Sequence, residues 1–314
     1  MIMALAALSL SAVAAPAQDY PSRPVRIIVG FGPGSVADIV ARVLAARIGQ
    51  ALGQQFVVEN RAGAGSSLGA EFVTRATKDG HTLFMSTVAN AINPAVHKLS
   101  FDFGKDLAPI MLVGEAPQML VAHPSLGVGS VRELIALARS KPEQIQYATS
   151  GAGTLGHLSG ELLSTSAGIK LMPVPYPGSA QGMTDVLAGR VAMMFGPAST
   201  VWPSVQAGSL KALAVTQAKR AQLAPDVPTM AEAGIIGYGA GIWMGLLAPA
   251  GTPRAIIDRL AAAANDALKS DDVLGTLRAQ GVEPRGGTPD EFAHHIDLEL
   301  KKWAAVAAAA GLTR

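Results

Sequence analysis

Two short stretches carry residue types that could hold an anion. Gly30-Phe31-Gly32-Pro33-Gly34-Ser35 and Thr149-Ser150-Gly151-Ala152-Gly153-Thr154-Leu155-Gly156 are rich in glycine, carry hydroxyls and contain neither Lys nor Arg. Each follows a strand-like run and opens a helical pattern. Such a loop exposes backbone N–H groups beside the positive end of a helix dipole, which favours a carboxylate or phosphate without any side-chain cation. Glycine is also what a tight strand-to-helix turn needs, so either loop alone is compatible with plain backbone geometry. Two of them at equivalent junctions point to a joint grip on one organic acid. His157, just inside the second helix, could add a ring N–H or be a structural histidine.

Three other chemistries can be weighed from spacing. Gly151, Gly153 and Gly156 fit G-x-G-x-x-G, yet around Leu171 to Val174 no Asp or Glu follows to hold a ribose, which argues against a dinucleotide. Gly65-Ser66-Ser67-Leu68-Gly69 fits the G-x-S-x-G nucleophile elbow, which would make Ser67 the nucleophile of a secreted serine hydrolase. The strand before it ends at Glu59, however, and the elbow belongs directly at a strand end. His294 and His295 stand beside Glu291, Asp297 and Glu299, but neighbouring helical residues point about 100° apart, unlike the i, i+4 pair of a zinc helix. No metal and no cofactor is expected.

The elements that would position the loops alternate. Val25–Val29 reads as a strand, and Val36, Ile39, Val40, Val43, Leu44 and Ile48 mark one helix face. Phe56 to Glu59 and Thr82 to Ser86 repeat the strand, each followed by a helix. A second series starts at Met119-Leu120-Val121-Ala122 and includes strands at Ile145 to Ala148, Leu171 to Val174, Val191 to Phe195 and Lys211 to Thr216. Alternation at this spacing predicts parallel sheets covered on both faces. Ile242 to Ala248 reads as a strand leaving the second series, and helices over 254–269, 272–280 and 289–310 finish the chain. Packing these helices on the first unit requires the chain to cross near residue 120 and return near residue 240. The expected division is therefore 18–121 plus 241–314 for one lobe and 122–240 for the other.

Composition narrows the class. At 314 residues the chain is long for one core, and 49% hydrophobic with 15% charged residues excludes wholesale disorder. Twenty-five basic against 23 acidic residues leave no basic field, so no nucleic acid is expected as a partner. The absence of Cys removes disulfides, thiolate catalysis and Cys-bound metal. Residues 1–17 form an apolar run ending in Ala15-Pro16-Ala17, the pattern of a secretory signal cut before Gln18, although no basic residue precedes the run. A periplasmic location is expected.

Across Tyr20 to Gly311 the chain resembles the Bug family, the periplasmic solute-binding proteins of tripartite tricarboxylate transporters. The matching stretches, in order, are Tyr20-Pro21-Ser22-Arg23-Pro24, Phe31-Gly32-Pro33-Gly34 with Asp38, Val58-Glu59-Asn60-Arg61 with Gly63-Ala64-Gly65, Asp79-Gly80-His81-Thr82-Leu83, Tyr147-Ala148-Thr149-Ser150-Gly151 with Gly153, Thr154 and His157, Val174-Pro175-Tyr176 with Gly178 and Ser179, Asp226-Val227-Pro228-Thr229, and Leu247-Ala248-Pro249-Ala250-Gly251-Thr252-Pro253. The resemblance implies an α/β, two-lobed periplasmic binding protein, a Venus flytrap of type II-like architecture with a two-strand hinge. It further implies a monomer that performs no chemistry and hands a small organic acid to membrane permease subunits. A sensor feeding a membrane receptor would share the pocket.

By the same resemblance, Phe31, Pro33, Gly34 and Ser35 would hold one ligand carboxylate, partly through ordered waters. Ser150, Gly151, Ala152, Gly153, Thr154 and His157 would complete the cleft, with Ser86, Thr87, Asn90 and Tyr176 as walls. A ligand bond from Thr154 would make Thr154→Ala cost on the order of 1 kcal/mol of binding. Gly32 and Ser35 stand where relatives often have Pro and Gly. Gly196 also belongs to the expected site: it follows Phe195 where many relatives have Asp, and losing that carboxylate disfavours an ammonium group on the ligand. Pro177 replaces a position often basic. These departures predict an acid with few charges and an aromatic or aliphatic body, rather than an amino acid or citrate.

Overall fold

In the computed structural model, which describes residues 20–313, two α/β units each form on a sheet of their own. The expected signal segment, 1–17, lies outside the described residues. The first unit begins β1 (Val25–Val29), α1 (Val36–Leu52), β2 (Phe56–Asn60), α2 (Ser67–Thr74), β3 (Thr82–Thr87) and α3 (Val88–Val96). It continues through β4 (Leu107–Ala116), and the chain passes at Pro117 to β5 (Gln118–Ala122). The second unit adds α4 (Val131–Ser140), β6 (Gln146–Thr149), α5 (Leu155–Ala167), β7 (Met172–Pro175), α6 (Ser179–Leu187), β8 (Met193–Pro197), α7 (Ala198–Gln206) and β9 (Lys211–Val215). The return brings β10 (Ile242–Pro249), α8 (Arg254–Ala267), α9 (Asp271–Ala279), β11 (Glu283–Pro284) and α10 (Pro289–Ala309).

The strand orders are β11-β4-β10-β3-β1-β2 and β7-β6-β8-β5-β9. Neither sheet is purely parallel, as alternation alone predicts. β10 runs antiparallel to β3 and β4, and β5 antiparallel to β8 and β9. Both are the strands on which the chain changes unit, so they enter their sheets from the opposite direction. Because β5 pairs within the second sheet, the outward passage lies at Pro117 rather than near residue 121. Strand β4 escapes sequence reading because Pro109 interrupts its apolar run. Pro109 is tolerated because β11 pairs only with Glu115 and Gly114, leaving one side of β4 unpaired there.

The two passages are tied to each other. Thr216, fully buried, donates its backbone N–H to Gln118 O (2.9 Å) and its hydroxyl to Ala240 O (2.6 Å), while Ala240 N–H reaches Thr216 O at 3.0 Å. Behind them one apolar core runs through both units, from Phe84, Ile92 and Val96 through Trp243, Phe292 and Trp303 to Tyr147, Leu158 and Phe195. Helix α10 packs on α3 of the first unit and on α5 of the second. The hinge therefore has two strands and a helical brace. No helix among the described residues is long and apolar enough to cross a membrane.

Candidate functional site

A cavity of about 390 Å³ lies between the two sheets. Helices α1, α3, α5, α6 and α7, each of which follows a strand, present their first turns to it through Ser35-Val36-Ala37, Thr87-Val88-Ala89, Leu155-Gly156, Ser179 and Ser199-Thr200. Ligands in open α/β sheets sit beyond the carboxyl ends of strands, where helix N-termini gather. Here five such ends meet at one space. Not one lining residue is Lys, Arg, His, Asp or Glu. Further walls include Phe31, Met194, Phe195, Ile242 and Met244, with the amides Gln118 and Gln280. Partial positive charge, neutral amides and hydroxyls, and apolar surface are thus what the space offers.

The first glycine loop is locked from within by Asp38. Its Oδ2 accepts from Gly34 N–H (2.9 Å) and Arg42 Nε (3.0 Å), and its Oδ1 accepts from Asn60 Nδ2 (2.9 Å), which also donates to Phe31 O (2.9 Å). Burial pushes the Asp38 carboxyl up, but hydrogen bonds from Arg42, Gly34 N–H and Asn60 outweigh it and hold the group below the usual carboxylate range. Ser35 Oγ accepts from Asp38 N–H (3.3 Å), and Ser35 O takes Ile39 N–H (2.9 Å). That leaves the Val36 and Ala37 N–H groups, at the cavity, as the donors the α1 terminus does not use itself. Pro33 and Gly34 are exposed and lie off the cavity wall.

The second loop is likewise self-satisfied. Thr154 Oγ1 donates to Gly151 O (2.8 Å), and Gly153 N–H donates to His157 Nδ1 (3.0 Å). Burial pushes the His157 pKa down, with Glu161 opposing, so a neutral ring suits its role as acceptor. Ser150 reaches the cavity, whereas Gly151, Ala152, Gly153, Thr154 and His157 do not; Leu155 and Gly156 take their place. Gly153 instead faces the first unit, where a Cβ would lie 3.0 Å from Val96. On the other flank a Cβ on Gly281 would lie 2.9 Å from Ser199. The units touch on both sides of the cavity.

Among the other expected residues, Thr87 lines the cavity. Ser86 is buried and bonds Gly245 O (2.9 Å), Tyr176 gives its hydroxyl to Asp185 (2.8 Å), and Gly196 sits against Val201. Asn90 accepts Thr87 N–H at 2.9 Å, one residue behind the wall. Thr87 Oγ1 is buried at the N-cap of α3, and its proton has no acceptor. A buried hydroxyl left unpaired is costly, and one at a cavity wall is a ready donor to a ligand. Thr87→Val, of nearly equal shape, is expected to weaken acid binding about tenfold, read by calorimetry.

Ser67 is buried with Asn93 Nδ2 on its hydroxyl (2.8 Å), which gives the elbow motif a structural partner rather than a histidine. His294 is exposed while the half-buried His295 packs on Trp243 and Phe292, and no cluster that could hold a metal occurs among the described residues.

The profile of the tripartite tricarboxylate transporter family receptors matches residues 40–312. The chain belongs to this family. It is 36% identical to protein BugT of Bordetella pertussis over 95% of this chain and 93% of that one. A protein in the tcbD-tcbE intergenic region of Pseudomonas sp. (strain P51) is 34% identical over 96% and 90%. Among solved structures, an R. palustris protein with adipate superposes with a TM-score of 0.77 at 36% identity, covering 94% of this chain and 99% of that chain. MatC from Rhodopseudomonas palustris with bound malate gives 0.73 at 32%, over 91% and 99%. Family membership makes this chain a two-lobed solute-binding receptor of a tripartite transporter, not an enzyme.

Proposed function

We propose that this receptor captures a small organic carboxylate with an apolar body between its two lobes, in the periplasm, and delivers it as a monomer to the membrane permease subunits. The lobes are read as 20–117 with 241–313, and 118–240. The observation that carries the reading is the convergence of five helix N-termini on a cavity without a charged side chain. A carboxylate there gains from aligned N–H groups and dipoles, in a site too apolar to solvate it otherwise. Adipate and malate in the two related structures support the carboxylate class. Both are diacids, and this cavity has no Arg or Lys for a second carboxylate, which favours a single charge.

Because a ligand spanning both lobes makes bonds that an open form lacks, it favours closure by that difference alone. The test is a thermal-shift panel of aliphatic, aromatic and hydroxylated mono- and dicarboxylates. A ligand at 100 times its Kd adds about 2.7 kcal/mol, a shift of roughly 5–10 °C. A panel in which no acid moves the midpoint removes the reading.

A further inference from the structure

At the joint between the units, Gln118 borders the cavity and is 3% exposed, with its backbone carbonyl held by the Thr216 N–H. Its side-chain Oε1 is placed 2.8 Å from the hydroxyl of Ser159 on α5, fully buried. That hydroxyl also lies 2.7 Å from Leu155 O, one turn back. A serine hydroxyl has one proton, and neither contact is tolerable between two oxygens with no proton between them. Both are satisfied in one arrangement. Ser159 donates to Leu155 O, the usual back-bond of a helical serine, and Gln118 turns its Nε2 to donate to Ser159 Oγ. The carbonyl oxygen of Gln118 then takes the position of Nε2, away from Ser159, on a residue that lines the cavity.

We infer that Gln118 is a specificity-determining residue that accepts a hydrogen bond from a hydroxyl or N–H on the apolar body of a bound monocarboxylate. This rests on the receptor reading above and adds to it the second recognised group. Gln118 is well placed for the task because it is fixed at the hinge, where neither closing half displaces it. A ligand without the donor leaves a desolvated carbonyl unpaired, and sites built in this way reject such analogues.

The experiment is calorimetry of hexanoate and its 3-, 4-, 5- and 6-hydroxy isomers on the wild-type protein and on Gln118→Met and Gln118→Glu, with melting curves to confirm folding. In the wild type one isomer is expected to bind about tenfold tighter than hexanoate. Gln118→Met, which keeps the shape and loses the acceptor, removes the unpaired carbonyl and should bind hexanoate more tightly than the wild type does, with no isomer preference. Gln118→Glu keeps an acceptor and adds a charge, so every acid should weaken while the preference persists. Hexanoate bound with a flat isomer profile, or a preference that survives in Gln118→Met, overturns the inference and leaves the receptor reading intact. Failure of every acid, here and in the thermal-shift panel, overturns the receptor reading and the inference with it.

Discussion

Ala89→Asp is expected to weaken acid binding by about 2–4 kcal/mol, on the order of 30- to 1,000-fold, without destabilising the fold. Ala89 is a half-buried residue in the first turn of α3, on the cavity wall with Thr87 and Val88. A carboxylate there competes with the ligand for those donors and repels its charge. At about 4 Å that repulsion lies between roughly 1 kcal/mol in water and 4 kcal/mol near a protein surface. For the helix itself the change is favourable, since an acidic side chain near an N-terminus contributes about 0.3–1 kcal/mol. Affinity and stability should therefore move in opposite directions. Ala89→Asn is the control of equal size, and it should lose far less. Equal affinities for the two variants would show that ligand charge is not what the α3 terminus reads.

The sequence makes part of this site legible for a physical reason. Phe31, Ser35 and Ser150 sit in loops directly after strands and Thr87 ends one, and chain order alone brings such positions to one edge of a sheet. Gln118, Met244 and Gln280 are different. They reach the cavity on β5, on β10 and at the end of α9, where only the crossings of the chain between the units place them. No local motif marks that return. The glycine loops mislead in the other direction. Their polar groups have to be satisfied before any ligand arrives, so Asp38 takes Gly34 N–H, His157 takes Gly153 N–H and Gly151 O takes the Thr154 hydroxyl. The donors left over belong to the next residues along, inside the helices. Spacing identifies which loops matter, while the internal hydrogen bonds decide which residues within them remain free.

Glu299→Ala is expected to cost about 3–5 kcal/mol of stability, the largest loss outside the apolar core. The carboxylate of Glu299, 8% exposed, accepts the indole N–H groups of Trp243 (3.0 Å) and Trp303 (2.9 Å) and is paired with Lys302. Lys302 in turn donates to Gly239 O (2.7 Å), in the segment returning to the first sheet. Removing the carboxylate orphans two buried N–H groups, each costing about 1–3 kcal/mol, and leaves the ammonium without its partner. Glu299→Gln, which keeps an acceptor, should cost less than Glu299→Ala. Glu299→Ala with Lys302→Met should recover part of the loss, because an uncompensated charge is worse than no pair at all. Urea midpoints with unchanged slopes would measure all three. A Glu299→Ala variant as stable as the wild type would mean that the indoles and Lys302 find other partners. The attachment of α10 to the hinge would then rest on its apolar face alone.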